Sequence, residues 1–497
     1  MKQVLLLLFL LLQFSCAPAV NSTYYVDASS GNDLNDASSP SSAWKSIEKV
    51  NNTKFKPGDK ILFKRGEVWR EELRVNSEGA DGNPITYGAY GSGDMPVIKG
   101  SDRIAVFSPA GNTNIWRAQL NTEPSWIWFI KDDEIIWGNK QASQNSVTKD
   151  FDWYYDGRFL FIYAPSPPDK YYSSVEASAR KYCINAEVRN FIVIENLHLQ
   201  FPQYACIKVY ENTVVRNNIL EYSGINDTER RGDGVWIVGS NNEIINNIIS
   251  NHSSHGINVN PSRYETNNNI IQYNTIFNNF HNNLDIRSGE NGSAEGNIIR
   301  FNHLYCTDDF PRASVNGIFL QGYSDSKQIR NTEIYNNIIH NQTGSGIHFS
   351  RFVDGVDVQN NTVYTTKDEN TACFYFFNGN GHVNMKNNIG ADGAAWIVRL
   401  ETTANKSFDQ NLYFQNPGKR QNTARIGNQT FESFADYKSR AKLDQNSKWE
   451  NPDFEQTAKG LFKSRNKISA GALSGIPDDK KSQVTELRVG ASLNKTN

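Results

Sequence analysis

The sequence predicts an all-β protein, a right-handed parallel β-helix with an N-terminal capping helix and a small inserted antiparallel β-sheet. Three observations predict this fold: a phrase that repeats between residues 190 and 400, an abundance of asparagine, and a segment rich in Trp and Tyr that interrupts the pattern. A solenoid also suits a chain of 497 residues, because it grows along one axis and is not limited by one compact core.

The repeated phrase is Asn, often doubled, followed by aliphatic residues, at steps of 22 to 35 residues. Its asparagines are Asn196, Asn218, Asn247, Asn274, Asn302, Asn337, Asn361 and Asn388. A second phrase alternates with it, a small or polar residue followed by apolar–x–apolar, as in Gly256-Ile257-Asn258-Val259. This period of two is typical of short strands between polar turns, and no helical period competes with it.

The abundance of asparagine needs a structural reason, because Asn is depleted in ordinary strands. If successive coils stack at the strand spacing of about 4.8 Å, the amides of neighbouring coils can pair and satisfy backbone groups of the turns. We therefore predict an asparagine ladder of purely structural role. A leucine-rich repeat is disfavoured, because Ile, Val and Asn dominate here in place of a Leu consensus.

The predicted organisation has five parts, which are an export signal (1–16), an N-terminal cap with the first coils (22–100), an inserted aromatic-rich β-sheet (101–180), the β-helix with its cleft (181–405) and a C-terminal wrap (406–497). Residues Ser42 to Val50 predict the capping helix, with a serine N-cap. Asp156-Gly157 between aromatic runs predicts a hairpin, and Thr430 to Lys442 predicts a further helix. The aromatic insert is either a hairpin core, which we favour, or a surface on which sugars stack.

The N-terminus has the form of a lipoprotein export signal. Lys2 precedes an apolar run from Val4 to Leu12, which is shorter than the roughly 20 residues that span a bilayer, and Cys16 follows directly. We expect lipidation of Cys16 and a membrane-anchored protein, either periplasmic or on the cell surface. Gln13 replaces an apolar residue usual at such sites, so an ordinary cleaved signal is the alternative.

The composition limits the partners. A net charge of −2 and a pI near 6.5 give no basic excess for a nucleic acid, and we expect a monomer. The four later cysteines lack the paired spacing of a metal site. Cys183 and Cys206 lie one coil apart, either as a disulfide or as two buried thiols.

The Asn-rich coils, the export signal and the N-terminal segment resemble the pectate-lyase-like superfamily. The N-terminal residues that carry this likeness are Tyr24-Tyr25-Val26-Asp27, Gly31-Asn32-Asp33 and Trp44-Lys45-Ser46-Ile47. The resemblance covers about residues 22–410 and is specific for the fold, not for a reaction. It implies an extracellular polysaccharide as substrate, with uronic-acid-containing glycans foremost, since the group includes pectate, alginate and chondroitin lyases and several glycoside hydrolases.

Turn lengths predict where a cleft lies. The intervals from Asn218 to Val235 and from Asn302 to Ile318 are clearly longer than the matching intervals of the other coils. The turns that follow the strands of Ile257, Leu284 and Ile318 are likewise longer than those that follow earlier strands. Long turns on both edges form walls, and the strand face between them forms a floor.

Alternation predicts the floor residues, because in Gly-Ile-x-Val the aliphatic side chains point inward and x points outward. The outward row is Lys208, Trp236, Asn258, Asp285, Phe319, His348 and Tyr375. The candidate catalytic residues are Asp233, His255, Asp285, Arg287, Asp308 and Asp309. The candidate substrate-binding residues are Lys208, Trp236, Asn258, Arg230, Arg312, Phe319, His348 and Tyr375. We place Asp233 in the first long turn, His255 at the end of a turn, and Asp308 and Asp309 in the second long turn.

The preferred mechanism is β-elimination, in which a cation neutralises a uronate carboxylate and a base removes the C5 proton. Arg287 or Lys208 can neutralise the carboxylate, and His255 can be the base because its ordinary pKa is near 6.5. A Ca²⁺ ion is an alternative cation, with Asp285, Asp308 and Asp309 as its ligands.

Two further functions remain open. In a glycoside hydrolase, Asp285 with Asp308 or Asp233 would flank the glycosidic bond, and crowding would raise the pKa of one carboxyl group. The other is a glycan-binding protein without catalysis, although the cluster of ionisable residues on the floor favours an enzyme. The identity of the glycan, and whether it is cut internally or from an end, does not follow from the sequence.

Overall fold

The computed structural model describes residues 21–111, 114–224, 231–261, 264–377, 381–417, 422–456 and 462–464. Parallel strands stack coil upon coil and enclose one long apolar core from Val26 to Leu443. The predicted all-β fold, a parallel β-helix, is confirmed. Three faces, each one strand per coil, form its wall.

The first face, here called the site face, contains the outward row. Its strands are Leu73–Arg74, Tyr182–Glu195, Ala205–Arg216, Asp233–Ile237, His255–Val259, Asn282–Arg287, Asn316–Gln321, Ile347–Phe349, Ala372–Phe376, Trp396–Leu400 and Ala424–Ile426. Two of them, Tyr182–Glu195 and Ala205–Arg216, continue around the corner into the second face. Alternate aliphatic side chains of these strands point inward and are fully buried, among them those of Ile207, Val235, Ile257, Leu284, Ile318 and Ile347.

The second face comprises Thr23–Val26, Lys60–Lys64, Ile85–Tyr90, Glu243–Ile245, Ile270–Gln272, Ile298–Arg300, Glu333–Tyr335, Val356–Gln359, Val383–Lys386 and Lys406–Asp409. The third comprises Val68–Trp69, Val97–Lys99, His198–Gln200, Ile219–Glu221, Ile248–Ser250, Thr275–Phe277, His303–Tyr305, Ile338–Gln342, Thr362–Thr366, Ile389–Ala391, Leu412–Phe414 and Lys448–Trp449. A short parallel sheet, Ala294–Glu295, Ile329–Arg330 and Val353–Asp354, extends three central turns. Two antiparallel additions, Gln429–Phe431 on Ala424–Ile426 and Phe454–Gln456 on Phe462–Ser464, lie near the C-terminal end.

The asparagine ladder is present between the second and third faces. In each coil the backbone N–H and Nδ2 of one ladder asparagine donate to Oδ1 of the next, for example from Asn274 to Asn302 at 3.0 Å. It runs through Asn218, Asn247, Asn274, Asn302, Asn337, Asn361, Asn388 and Asn411. Asn196 is not a member, because Leu197 occupies the ladder position in its coil and donates its N–H to Asn218.

The doubled asparagines of the repeated phrase also have a conformational cause. The residue before the ladder position adopts a left-handed backbone, with φ of +57° at Asn217, +54° at Asn246 and +57° at Asn336. Among residues with a side chain, Asn enters this region at the lowest cost. A second ladder, Asn242, Asn269 and Asn297, lies at the other corner of the second face and was not predicted.

The capping helix expected at the N-terminal end of the solenoid is present, and both predicted helices are shorter than expected. The capping helix is Ile47–Asn51, where Ser46 accepts from the N–H of Lys49, and it buries Ile47 and Val50. The helix begins later than the predicted Ser42 because Trp44 is extended and forms a β-bridge with Val26. The C-terminal helix is Phe434–Ala441, since residues before it form the antiparallel strand Gln429–Phe431.

The insert is a mainly antiparallel structure with its own apolar core. Four strands, Ser101–Arg103, Ile127–Lys131, Glu134–Trp137 and Ser174–Ser178, form one sheet. Five strands, Ser108–Pro109, Ile115–Gln119, Asn139–Lys140, Asp152–Tyr155 and Phe159–Tyr163, form another, and a helical turn spans Pro168–Tyr171. The predicted hairpin turns at Asp156-Gly157. Trp153, Leu160 and Ile162 are buried between the sheets, as expected of a hairpin core.

A buried ion cluster attaches the insert to the solenoid. Glu176 of the insert accepts from Nη1 and Nη2 of Arg70 at 2.6 and 2.9 Å and from Ser101 Oγ at 2.7 Å. Lys99 lies 3.4 Å away. These cations hold the pKa of Glu176 at about 2, although burial alone would raise it.

Cys183, Cys206, Cys306 and Cys373 are free buried thiols, so Cys183 and Cys206 are not bonded to each other. In the part of the chain that the structure describes, no helix has the length and apolar character needed to cross a membrane. Cys16 lies outside the described residues, so its lipidation stays a prediction.

Candidate active site

The outward row of the site face forms in the order that alternation predicted. Cα register pairs join Lys208 to Trp236, Trp236 to Asn258 and Asn258 to Asp285 in successive coils. Phe319, His348 and Tyr375 continue the row. A second row lies three residues earlier in each strand and holds Asp233, His255, Asn282 and Asn316.

A buried chain of ionisable groups joins the two rows. His255 Nδ1 lies 3.0 Å from Asp233 Oδ1, and His255 Nε2 lies 3.0 Å from Asp285 Oδ2. Both carboxylates are fully buried, and His255 is 7% exposed. Asp233 also accepts from Asn258 Nδ2 at 2.9 Å and from the backbone N–H of His255 at 3.2 Å.

Asp285 is the centre of this chain because four donor groups converge on it. Arg287 donates from Nε and Nη2 at 2.8 and 3.0 Å, Asn282 donates from Nδ2 at 2.6 Å, and His255 supplies the fourth. Asn282 is in turn held by Nδ2 of Asn316 at 2.8 Å. A bidentate pair through Nε and Nη2 directs Nη1 of Arg287 away from Asp285. The Arg287 side chain is 30% exposed, so a ligand can reach it.

The charges of this chain stabilise one another. Burial alone would lower the pKa of His255, but the neighbouring carboxylates of Asp285 and Asp233 raise it to about 9. Burial likewise opposes ionisation of both carboxyl groups, and His255 with Arg287 still holds the pKa of Asp285 far below its usual range. The pKa of Asp233 is also lowered, through its hydrogen bond to His255. At neutral pH the site therefore holds an imidazolium between two carboxylates.

His281 is the exposed imidazole of the site and was missed by the sequence reasoning. Its Nδ1 lies 3.2 Å from Nε2 of His255, and it precedes the strand Asn282–Arg287 directly. Partial desolvation and the positive charge of His255 lower its pKa, so it is neutral at neutral pH. It lies in a turn, where alternation makes no prediction; the signal that could have found it is its place just before Asn282, the register partner of His255.

The insert and the second long turn wall this edge of the site. Trp137 of the insert contacts Phe280, next to His281, with ring centroids 4.9 Å apart. The centroid of the Phe310 ring lies 5.9 Å from that of Phe280, and the Arg312 guanidinium lies 4.1 Å over the Phe280 ring. The wall thus consists of aromatic rings and one arginine, and it fixes the turn that carries His281.

Several candidates lie elsewhere than predicted. Asp233 and His255 are the first residues of strands, not turn residues. Asp308 is 92% exposed and contacts Lys367 and Asn341, each at 3.3 Å, and Asp309 is exposed beside it. Neither acidic residue comes together with Asp285. Arg230 lies outside the described residues.

The C-terminal half of the row is aromatic. His348 stacks on Tyr375 with centroids 4.4 Å apart, and Phe319 meets His348 edge-on at 5.0 Å. Burial and the charge of Arg399 lower the pKa of His348 to about 4. Arg399, not predicted, lies 4.3 Å over Tyr375 as the next member of the row.

The residues do not fit the expected Ca²⁺ site. Ca²⁺ takes six to eight oxygen ligands. Among the described residues, the metal-ligating atoms grouped with Asp285 within 4.8 Å are two imidazole nitrogens, those of His255 and His281. Nitrogen donors suit transition ions instead. Both oxygens of Asp285 are already bound by Arg287, so we derive no step through a metal.

The comparison with protein families agrees with the fold described above. Residues 182–363 match the family described as "Right handed beta helix region". The chain folds as a right-handed parallel β-helix, as the sequence predicted.

The similar proteins include lacto-N-biosidases and a protein whose structure contains xylose. Over 83 residues, 15% of this chain, the sequence is 37% identical to a lacto-N-biosidase of Bifidobacterium longum subsp. longum, but the match spans only 5% of that protein. The structure of XylC in complex with xylose superposes with a TM-score of 0.53 and 15% identity, covering 82% of this chain and 86% of that one. A lacto-N-biosidase from Eubacterium ramulus gives 0.52 and 14%, covering 86% and 66%. At these identities the two structures show the fold alone.

Proposed function

We propose that this protein cleaves an extracellular acidic polysaccharide by β-elimination at the site face. The observation that carries the proposal is the pair Asp285–Arg287 beside His281. Arg287 is a fixed guanidinium with one side open, and His281 is a neutral, exposed imidazole with a nitrogen within 4.8 Å of an oxygen of Asp285. These are the two groups that elimination requires, a cation for the uronate carboxylate and a base for the C5 proton. The similarity to sugar-active proteins raises the expectation of a glycan substrate.

The charge of the site face favours an acidic glycan. Its cations are Arg74, Lys208, Arg231, Arg287, Arg399 and Arg425. Of its carboxylates, Asp233 and Asp285 are buried and Glu187 is partly exposed, and each of the three already has a cationic partner. A uronate carboxylate would meet Arg287 as a charge-assisted hydrogen bond, which is about twice as strong as a neutral one.

The proposed step assigns different work to the two histidines. Arg287 neutralises the substrate carboxylate, which makes the C5 proton more acidic. His281 takes that proton at Nδ1, its unprotonated nitrogen, after the exposed ring turns from the Nε2–H of His255 toward the substrate. The electron pair of the C5–H bond then forms the C4–C5 double bond, and the C4–O glycosidic bond breaks. The leaving oxygen takes a proton from solvent. His255 is not the base, because it is protonated between Asp233 and Asp285; it fixes both carboxylates and, through Asp285, orients Arg287.

Hydrolysis is the second candidate, and the local match to a lacto-N-biosidase favours it. Asp233 and Asp285 bind opposite nitrogens of one imidazole, so two carboxylates do flank a common group. A hydrolase, however, needs one carboxyl group protonated as the acid, with a raised pKa. The pKa values of Asp233 and Asp285 are both lowered, which makes this pair the weaker proposal.

The test uses purified residues 22–497 on alginate, pectate, glycosaminoglycans and neutral glycans. Reducing ends and the ultraviolet absorbance of the new double bond are followed together. Elimination predicts that both rise, and that Arg287→Ala and His281→Ala each lower the rate about a hundredfold or more. His382→Ala is the matched control, because His382 is an exposed histidine on Asp354, outside the site face. Reducing ends without absorbance would instead establish hydrolysis.

We further propose that the protein acts outside the cytoplasm, anchored by a lipid on Cys16. The support is the form of the N-terminal sequence and the polymeric substrate proposed above. Radiolabelled palmitate incorporated into the wild type and absent from Cys16→Ser tests the anchor. Equal labelling of both would contradict it.

A further inference from the structure

A cavity of about 600 Å³ lies on the site face, on the N-terminal side of the buried ion chain. The residues that matter for its chemistry are Arg74, Asn185, Glu187, Lys208, Trp236 and Tyr264. None of Asp233, His255 or Asp285 lines it, so it is a separate space from the centre described above. Its volume lies in the range of small-ligand sites, about 300 to 1,000 Å³.

The cavity lies on the same outward row as the proposed reaction centre. Arg74, Asn185, Lys208 and Trp236 are register partners in successive coils. Trp236 pairs with Asn258, and Asn258 pairs with Asp285. Two strand spacings therefore separate Trp236 from Asp285, about 10 Å, which is the length of roughly two sugar units in an extended glycan.

The ring of Trp236 is not a sugar platform, which revises the role that the sequence suggested. Lys208 Nζ lies 4.1 Å from its centroid and the Arg231 guanidinium lies 4.2 Å from it, and the side chain is 6% exposed. Trp236 instead holds two cations by cation–π contact, each worth about 1 kcal/mol. Lys208 is further fixed by Glu187 at 2.7 Å, so its charge is placed at the cavity wall without freedom to swing away.

The lining has a cationic excess with polar groups beside it. Arg74 and Lys208 line the cavity against a single carboxylate, that of Glu187, whose side chain is 30% exposed. A carboxylate or sulfate group suits the two cations, and sugar hydroxyls suit the oxygens of Glu187 and the amide of Asn185. A neutral apolar ligand would cover these charges without giving them a new partner.

We infer that this cavity is a binding site for an anionic sugar unit, carboxylated or sulfated, of the chain that the reaction centre cleaves. Its place in the cleavage reaction rests on the proposed function, but its ligand chemistry does not. A glycan that fills both sites gains binding energy two or more units from the cleaved bond. The protein then prefers oligosaccharides long enough to reach from Asp285 to Lys208.

The binding arm of the test does not depend on catalysis. Galacturonate, a sulfated N-acetylglucosamine and uncharged xylose are titrated calorimetrically into residues 22–497. We expect one or both anions to bind and xylose to bind at least tenfold more weakly. Arg74→Ala weakens anion binding about tenfold or more, whereas Arg65→Ala does not, because Arg65 is a nearby arginine that contacts Gly93 outside the cavity. Equal binding of xylose, or equal effects of the two substitutions, would overturn the inference.

The kinetic arm compares defined oligosaccharides of increasing length on the wild type, Arg74→Ala and Lys208→Gln. We expect KM to fall with length in the wild type only, so that the variants raise KM about tenfold for long substrates and much less for the shortest. A loss of kcat on every length would instead show a general disturbance and would contradict the assigned role. If no glycan is cleaved, the proposed function fails while the binding arm still decides the cavity.

Discussion

The imidazolium of His255 makes the stability of this protein depend on pH in a defined direction. Its pKa is about 9 in the folded protein and about 6.5 in an unfolded chain. The folded state therefore binds this proton more tightly, and the resulting stability is fully present below pH 6.5 and lost as the pH rises through 9. Because one pKa unit corresponds to 1.36 kcal/mol, we expect a loss of about 3 kcal/mol across this window.

Asp233→Asn isolates this contribution. The substitution removes one of the two carboxylates that raise the pKa of His255, so the fall in stability between pH 6.5 and 9 becomes smaller. The structure can accept the new amide. Asn258 now donates to Asp233 while its own Oδ1 is buried without a partner, so a flip of the Asn258 amide would let Oδ1 accept from the amide that the substitution introduces.

The assay is urea unfolding followed by circular dichroism from pH 5.5 to 9.5, in chelator, for the wild type and for Asp233→Asn. Subtracting the two curves cancels other groups that titrate in the same range. The wild type should lose about 3 kcal/mol of unfolding free energy between pH 6.5 and 9, and the variant less. A flat wild-type curve, or parallel curves for both proteins, would refute the imidazolium between two carboxylates.

Three further predictions concern the ladder, the insert and metal dependence. Asn302→Ala leaves the N–H of Asn274 without its acceptor and the carbonyl of Ile271 without the donor that Asn302 supplies, so thermal and urea unfolding should show a loss of at least about 2 kcal/mol of unfolding free energy, whereas the exposed Asn370→Ala should change little. The lowered pKa of Glu176 contributes about 3 kcal/mol of folding stability, which is present above pH 4.3 and lost as the pH falls toward 2. Limited proteolysis should therefore release the insert first in acid. In Glu176→Gln, proteolysis should release it already at neutral pH. Glycan cleavage should be unchanged by chelator or added Ca²⁺; a chelated enzyme that recovers only with Ca²⁺ would contradict the fit argued for Asp285.

The sequence predicted the fold well because every coil of a β-helix repeats the same residue pattern. Each coil presents the same inward aliphatic pair and the same ladder asparagine, so one period suffices to place residues such as Asn258 and Asp285 in neighbouring coils. Asn196 was misassigned because the doubled phrase mixes two roles, the left-handed turn position and the ladder position. A single coil does not distinguish them, but the hydrogen bond from Leu197 to Asn218 does.

The candidate site was predictable only where it follows the strand period. Alternation identified Asp285 and Arg287 on one strand, but the partner that determines their chemistry comes from another coil and another row. Whether His255 is a base or an imidazolium depends on the carboxylates at its two ring nitrogens, which come from Asp233 in the preceding coil and Asp285 in the following coil. The turn that carries His281 is positioned by Trp137 of the insert, which lies far earlier in the chain. Contacts of this kind obey no local period, and for that reason the proton-accepting group of the proposed reaction emerges from the packing of the insert against the solenoid.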